Sequence, residues 1–333
     1  MGLKKVTSRA VRGVAKSKDA QAIPAVSRLA PAKINLYLHV TGRRSDGFHC
    51  LDSLFVFADF GDGIEVRAGD GELRLSIDGP FAGALPISDD NLVMKAARAF
   101  RTFAEDRAGN AHDVGANIRL TKSLPVAAGI GGGSADAAAT LHALNDFWDV
   151  GASLDDLSGL AAMLGADVPP CLHADPVQAA GIGEILAPAV PLPDCAILLV
   201  NPGVPLLTAE AFKAFASAEP IYSPAAPLVT APGSLGALIE MLELRHNDLQ
   251  PVAEQLVPAI SGVLDRLRKE SGCLLARLSG SGPTCFGLFA DRDAAAAAGR
   301  AIAAEHPDWW VQSGMLLSGA PAGQAADPSV AAC

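Results

Sequence analysis

The chain has 333 residues, half of them hydrophobic, and a net charge of −10; this is length enough for two ordinary domains with a sizeable core. The acidic balance speaks against a global binder of nucleic acid or of an anionic membrane, so an anionic ligand has to meet local basic groups or backbone amides. No apolar run reaches the about 18 residues of a membrane span, and the six cysteines show no C-x-x-C spacing, which points to a reducing, cytoplasmic setting without a zinc site or a disulfide scaffold.

Residues 1–26 read as a disordered or variable extension. Lys4, Lys5, Arg9, Arg12, Lys16 and Lys18 stand against a single acid, Asp19, and no apolar stretch of a secretory signal accompanies them. Order is expected to begin near Ser27. Leu29 to Val40 reads as a strand interrupted by Pro31 and the polar Lys33-Ile34-Asn35, and Thr41 to His49 as a turn or loop. Leu51 to Ala58, Gly63 to Ala68 and Glu72 to Asp78 read as strands of a meander. Asn91 to Ala104 has helical spacing, with Leu92, Ala96, Ala99 and Phe100 on one side and Asp89 and Asp90 as candidate caps.

Ala116 to Lys122 is predicted as a strand, followed by a glycine-rich loop and a helix from Ser134 to Asn145. Ser153 and Asp156 form a capping box for a helix ending at Leu164. Gly165 to Pro170 is expected to be a loop, because a residue before proline avoids the helical region. Beyond Val190 the texture changes, which sets a domain of residues 27–188 apart from one of 189–318. In the second, Ala196 to Val200, Leu274 to Leu278 and Cys285 to Phe289 read as strands. Leu235 to Leu244, Val252 to Glu270 and Asp291 to Glu305 read as helices, and Pro220 to Pro232 as a loop. The Ala/Gly/Pro-rich tail, 319–333, is expected to be disordered.

The segment Pro125-Val126-Ala127-Ala128-Gly129-Ile130-Gly131-Gly132-Gly133-Ser134 is the strongest chemical signal. Its glycines let the backbone adopt positive φ and approach a bulky ligand. The helix that follows offers free N–H groups and the positive end of its dipole to a phosphate. Ser134 could add a hydroxyl to phosphate or magnesium. A plain tight turn is the alternative, and no Gly-Lys-Ser or Gly-Lys-Thr makes it a Walker A loop. A dinucleotide fingerprint is the rival, weakened by Ser134 at the last glycine and by Lys122-Ser123-Leu124-Pro125 before the first.

Pro125 to Ala138 resembles the phosphate loop of the GHMP kinases. Pro31 to Leu36 with Gly42 to His49, Gly165 to Pro169, and Ser279 to Phe286 are also similar, as are Asn247-Asp248-Leu249 and Asn91-Leu92-Val93. The likeness spans about residues 28 to 317. It narrows to members that phosphorylate the 2-hydroxyl of a cytidine-diphosphate-linked methylerythritol, in the non-mevalonate route to isoprenoid precursors.

The resemblance implies an α+β two-domain GHMP kinase fold, with an N-terminal ribosomal-protein-S5-like domain and a C-terminal ferredoxin-like domain. It implies ATP and Mg²⁺ as cofactors and a small-molecule acceptor carrying a cytidine diphosphate group. No nucleic acid or membrane partner is expected, and the chain is expected to be a monomer or weak homodimer. Lys33 would hold the acceptor hydroxyl and γ-phosphate, and Asp167 would be the catalytic base, kept ionised by the lysine. Pro125, Ala127, Ala128, Gly129, Ile130, Gly131, Gly132, Gly133 and Ser134, with Lys122 and Asn91, would bind the nucleotide. Asn35, Phe48, His49, Thr208 and Phe212 would bind the acceptor, the aromatic groups around its cytosine. Pro170 and Cys171 depart from the family's usual run after Val168-Pro169.

Overall fold

Two long strands, β1 (Ala25–Arg43) and β2 (His49–Ala68), pair antiparallel along their whole length and organise the first half of the chain. The structure, a computed structural model, describes residues 25–85, 88, 90–108 and 115–317. The tail expected at 319–333, nearly all of the expected extension, and Asp89 lie outside the described residues. β3 (Leu73–Asp78), β4 (Ala116–Thr121), β5 (Val177–Gly181) and β6 (Ile185–Pro188) complete a first sheet, in the order β3-β4-β2-β5-β6, with β1 on the other edge of β2.

The two strands expected at Leu51 to Ala58 and Gly63 to Ala68 are thus one. The intervening Asp and Gly residues looked strand-breaking. Gly61 is needed there, because a Cβ would sit 1.9 Å from the Ala30 carbonyl oxygen of β1. The carboxylate of Asp62 is buried but hydrogen-bonded, so it does not break the strand either.

Helices α1 (Leu92–Ala108), α2 (Gly132–Trp148), α3 (Leu154–Leu164) and α4 (Val168–His173) pack on this sheet. Asn91 caps α1, its Oδ1 accepting from Val93 N at 2.9 Å; Asp90 instead pairs with Lys95. The capping box of α3 forms as expected, with both Ser153 and Asp156 bonds made. The loop expected through Pro170 is shorter, because Pro169 and Pro170 sit in the first turn of α4. A missing N–H costs nothing there.

The second half holds β7 (Ala196–Asn201), α5 (Thr208–Ser217), α6 (Leu235–Glu243), α7 (Gln250–Leu256), α8 (Ala259–Arg268), β8 (Leu275–Leu278), β9 (Cys285–Phe289), α9 (Arg292–Glu305) and β10 (Trp310–Met315). Its sheet runs β10-β7-β9-β8, all antiparallel, which is the strand order of the split βαβ ferredoxin-like fold. The single helix expected from Val252 to Glu270 is split into α7 and α8 by Pro258, which cannot donate to the ladder. β5, β6 and β10 had no counterpart in the sequence reading.

Among the described residues, the three largest of five apolar clusters form most of the core. One lies between α1–α4 and the first sheet, one between the second sheet and α8–α9. The third joins the halves: Ile34, Leu36, Leu54 and Val56 meet Ile197, Leu199, Phe286 and Leu288. The free edge of β1 therefore faces the second half of the chain, and Leu38 N donates to His246 O at 3.0 Å. Among the described residues no helix is long and apolar enough to cross a membrane.

Candidate active site

A cleft of about 810 Å³ lies where the two halves meet. Its floor is the segment from Pro125 to Gly131. Positive φ occurs at Ala127 (52°), Gly129 (71°) and Gly131 (63°), but not at Gly132 or Gly133. A Cβ on Gly129 would lie 2.6 Å from Ser279 O and 2.7 Å from Gly282 O, so the loop needs this glycine both for its conformation and for its contact with the second half. α2 begins at Gly132, two residues earlier than expected. Its first intrahelical bond runs from Ala135 N to Gly131 O, which leaves the amides of Gly132, Gly133 and Ser134 ahead of the ladder. These amides and the helix dipole suit an anion.

Lys33 comes from β1 and Asp167 from the residue before α4, and the structure brings them together. Lys33 Nζ lies 2.7 Å from Asp167 Oδ1 and 4.0 Å from the centroid of the Phe55 ring. The lysine is buried (6% exposed), whereas the carboxylate opens to the cleft (52%). The Lys33 charge holds the Asp167 carboxyl below its usual range, against the upward push of burial, and their hydrogen bond adds to the effect. Cys171, one turn into α4, donates its thiol to Asp167 O at 3.2 Å, and burial pushes that thiol up to about 12. The unusual Pro170 and Cys171 therefore start and anchor the helix behind the carboxylate.

Lys122, expected as a nucleotide contact, lines the cleft but is almost wholly buried. Its ammonium is engaged by Asp62 Oδ2 at 2.5 Å and Asp136 Oδ2 at 2.7 Å, with all three side chains buried. Asp62 Oδ1 also accepts from the amides of Ser123 and Leu124 at 2.6 and 2.8 Å. Burial pushes the Lys122 ammonium down, but the charges of Asp136 and Asp62 outweigh it and its pKa is raised. Asp136 is displaced upward by burial despite Lys122. Its Oδ1 has no hydrogen-bond partner among the described residues. A Cβ on Gly132 would sit 3.0 Å from Lys122 Nζ, so the triad supports the first residue of α2.

At the other end of the cleft, His49 stacks on Phe212 of α5 with ring centroids 5.3 Å apart and planes at 21°. Burial, and then the charge of Arg43, lower the His49 pKa. Its Nε2 is buried without a partner among the described residues. Phe48 is 59% exposed, and neither it nor His49 is among the residues that line the cleft. Thr208 and Phe212 both line the cleft, and Thr208 Oγ1 lies 2.9 Å from Ser281 Oγ. Asn35 also lines it, its Nδ2 donating to Ser53 Oγ at 2.8 Å. Asn91 lines the nucleotide end.

Among the described residues no cluster of three or more His, Cys, Asp or Glu side chains could hold a metal by itself. The donor set suits a magnesium ion carried mainly by phosphate and water oxygens, with one protein hydroxyl.

Sequence reading missed Asp62, Asp136 and Ser279. The signal available for Asp136 was a single carboxylate inside the otherwise apolar run Ala135 to Ala139.

The family model of the GHMP kinases N terminal domain matches residues 91–175, and that of the GHMP kinases C terminal matches 225–308. Curated relatives called 4-diphosphocytidyl-2-C-methyl-D-erythritol kinase include one from Paramagnetospirillum magneticum, 47% identical over 87% of this chain and 98% of its own. Another, from Cereibacter sphaeroides, is 50% identical over 86% of this chain and 98% of its own. A crystal structure of 4-(cytidine 5'-diphospho)-2C-methyl-D-erythritol kinase superposes with a TM-score of 0.71 at 32% identity, covering 88% of this chain and 99% of that one. Homoserine kinase from Cytophaga hutchinsonii shares the fold, with a TM-score of 0.65 at 18% identity over 93% and 98% of the two chains.

Proposed function

This chain belongs to the GHMP kinases, in the family of the 4-diphosphocytidyl-2-C-methyl-D-erythritol kinases, and from that premise we propose that it moves the γ-phosphoryl group of ATP onto the 2-hydroxyl of 4-diphosphocytidyl-2-C-methyl-D-erythritol. The observation that carries the reading is the Lys33–Asp167 pair, set in one cleft with the glycine loop and with Phe212, behind which His49 stacks. The dinucleotide reading of the glycines falls with the family membership.

Phosphoryl transfer asks for alignment and charge neutralisation more than covalent chemistry. The amides of Gly132 to Ser134 bind phosphate oxygens at the head of α2. Magnesium would be held by the phosphates with Ser134 as its protein oxygen, and would supply neutralisation of the polyphosphate charge. The acceptor hydroxyl meets Asp167 from the cleft, on the exposed side of the carboxylate, with Lys33 beside it. As its oxygen bonds to the γ-phosphorus, its proton passes to the Asp167 carboxylate, and the bond to the β–γ bridging oxygen breaks to release ADP. Lys33 keeps Asp167 ionised beforehand and offsets negative charge on the transferred group. At the far end, Phe212 gives the cytosine a face to stack on, and His49, neutral because of its burial, backs that ring.

The test is a phosphorylation assay with purified protein, ATP and a panel of acceptors: the cytidylyl compound, free methylerythritol, homoserine and mevalonate. Product identified by mass spectrometry with the cytidylyl compound alone is the expected result. Equal turnover of free methylerythritol would overturn the cytosine assignment.

A further inference from the structure

Ser279 directly follows strand β8 in the second half of the chain and is fully buried. It does not line the cleft. Its hydroxyl donates to Gly129 O at 3.1 Å and accepts from Asn35 N at 3.3 Å. A serine hydroxyl has one proton and two lone pairs, so both bonds can be held at once. One partner belongs to the glycine loop. The other lies two residues beyond Lys33 on β1.

The serine itself cannot drift. Its amide donates to Thr284 O and its carbonyl accepts from Gly282 N, each at 2.9 Å. There is little slack around it either. A Cβ on Gly280 would lie 2.9 Å from Gly129 O and 3.3 Å from Asn35 Oδ1. Close-packed surroundings transmit displacement rather than absorb it. This fixed hydroxyl therefore ties the position of the glycine loop to that of the β1 stretch carrying Lys33 and Asn35.

We infer that Ser279 is a positioning residue that couples the nucleotide half of the cleft to the acceptor half, acting through Gly129 and Asn35 without touching either substrate. This rests on the kinase reading given above. Coupling between sites is reciprocal, so bound acceptor tightens nucleotide by the same factor as nucleotide tightens acceptor.

The experiment measures the affinity of the full chain for a non-hydrolysable ATP analogue with and without saturating 4-diphosphocytidyl-2-C-methyl-D-erythritol, together with kcat. In the wild type the acceptor tightens the analogue at least about fivefold, the lower end of ordinary site-to-site coupling. Ser279→Ala leaves the affinity for the analogue alone within about twofold, abolishes the tightening, and lowers kcat about tenfold or more, as misalignment of reacting groups does. Ser279→Thr, which keeps the hydroxyl, restores both. The inference is overturned if Ser279→Ala retains the tightening and kcat, or if Ser279→Thr is as impaired as the alanine variant. It is also overturned if the wild type turns the acceptor over without any tightening. A wild type that phosphorylates none of the cytidylyl acceptor refutes the kinase reading itself and takes the inference with it.

Discussion

Gly131 and Lys33 fit together only because Gly131 has no side chain. A Cβ there would lie 3.0 Å from the Lys33 Cβ and 3.1 Å from its Cε. The Lys33 amide also donates to Ile130 O at 3.0 Å. Backbone contact, rather than the reach of a flexible side chain, sets where the lysine stands relative to the phosphate loop.

Asp167→Asn should lower kcat about 10²–10⁴-fold, the usual loss for a general base, while sparing the affinity for both substrates. An amide matches the carboxylate in size but cannot take the proton. The double variant with Lys33→Ala should lose less than the product of the single losses, because the two side chains act as a unit. Retention by Asp167→Asn of more than about a tenth of wild-type kcat would place the base elsewhere.

Asp167 also gives a pH dependence with a defined sign. Its folded pKa is depressed, by Lys33. Its ion pair therefore stabilises the fold fully above the unfolded value of about 3.9, and that contribution disappears as pH falls through the lower folded value. Thermal melting followed from pH 6 to about 3 should show this loss in the wild type and a smaller one in Lys33→Met.

Gly129→Ala should raise the Kd for ATP about tenfold or more, since overpacking of about 1–3 kcal/mol adds to the left-handed penalty of about 1–2 kcal/mol. Gly133→Ala is the control. Its Cβ would meet only Leu92 Cδ1, at 3.5 Å, and φ there is not positive. Equal nucleotide affinity in the two folded variants would mean that the contact with Ser279 and Gly282 does not shape the site.

Phe212→Ala should raise the acceptor KM about tenfold and leave the ATP KM nearly unchanged, because stacking on a base is worth about 1–3 kcal/mol. The lowered His49 pKa adds a second readout. Acceptor KM should stay flat between pH 6.5 and 8, where the ring is neutral, and rise only below its ordinary value of about 6.5.

Lys122→Met should destabilise the fold by about 3–5 kcal/mol, the usual consequence of stranding buried charges, as read by urea denaturation. Replacing Asp62 and Asp136 by Asn in the same chain should recover much of that loss. A variant of unchanged stability with a raised ATP KM would make Lys122 the nucleotide contact that sequence reading expected.

The parts of the fold legible in the sequence were those with local causes. Ser153 and Asp156 capped α3 as read, Asp291 starts α9 next to its expected boundary, and Cys285 to Phe289 is a strand as read. Much of what misled was a residue whose partner is distant in sequence. Gly61 looked like a break because Ala30, which it must accommodate, comes from another strand. Asp62 passed unread because its partner, Lys122, lies 60 residues on. Pro169 and Pro170 looked like a loop because local rules do not say which turn of a helix they occupy. The same holds for the site. Lys33, Asp167 and the glycine loop were named from motifs, whereas Ser279 is distinguished only by what it touches across the cleft.

The tight meeting of Gly129 with Ser279 and Gly282 has a consequence for recombination between relatives. A chimaera joined between Pro188 and Ala196 would keep each sheet whole, yet divide this contact between two parents. Shuffled descendants should survive when both glycine-rich turns come from one lineage. They should fail when the turns are mixed, even where each parental half folds, so the two loops are inherited as a pair although some 150 residues of chain separate them.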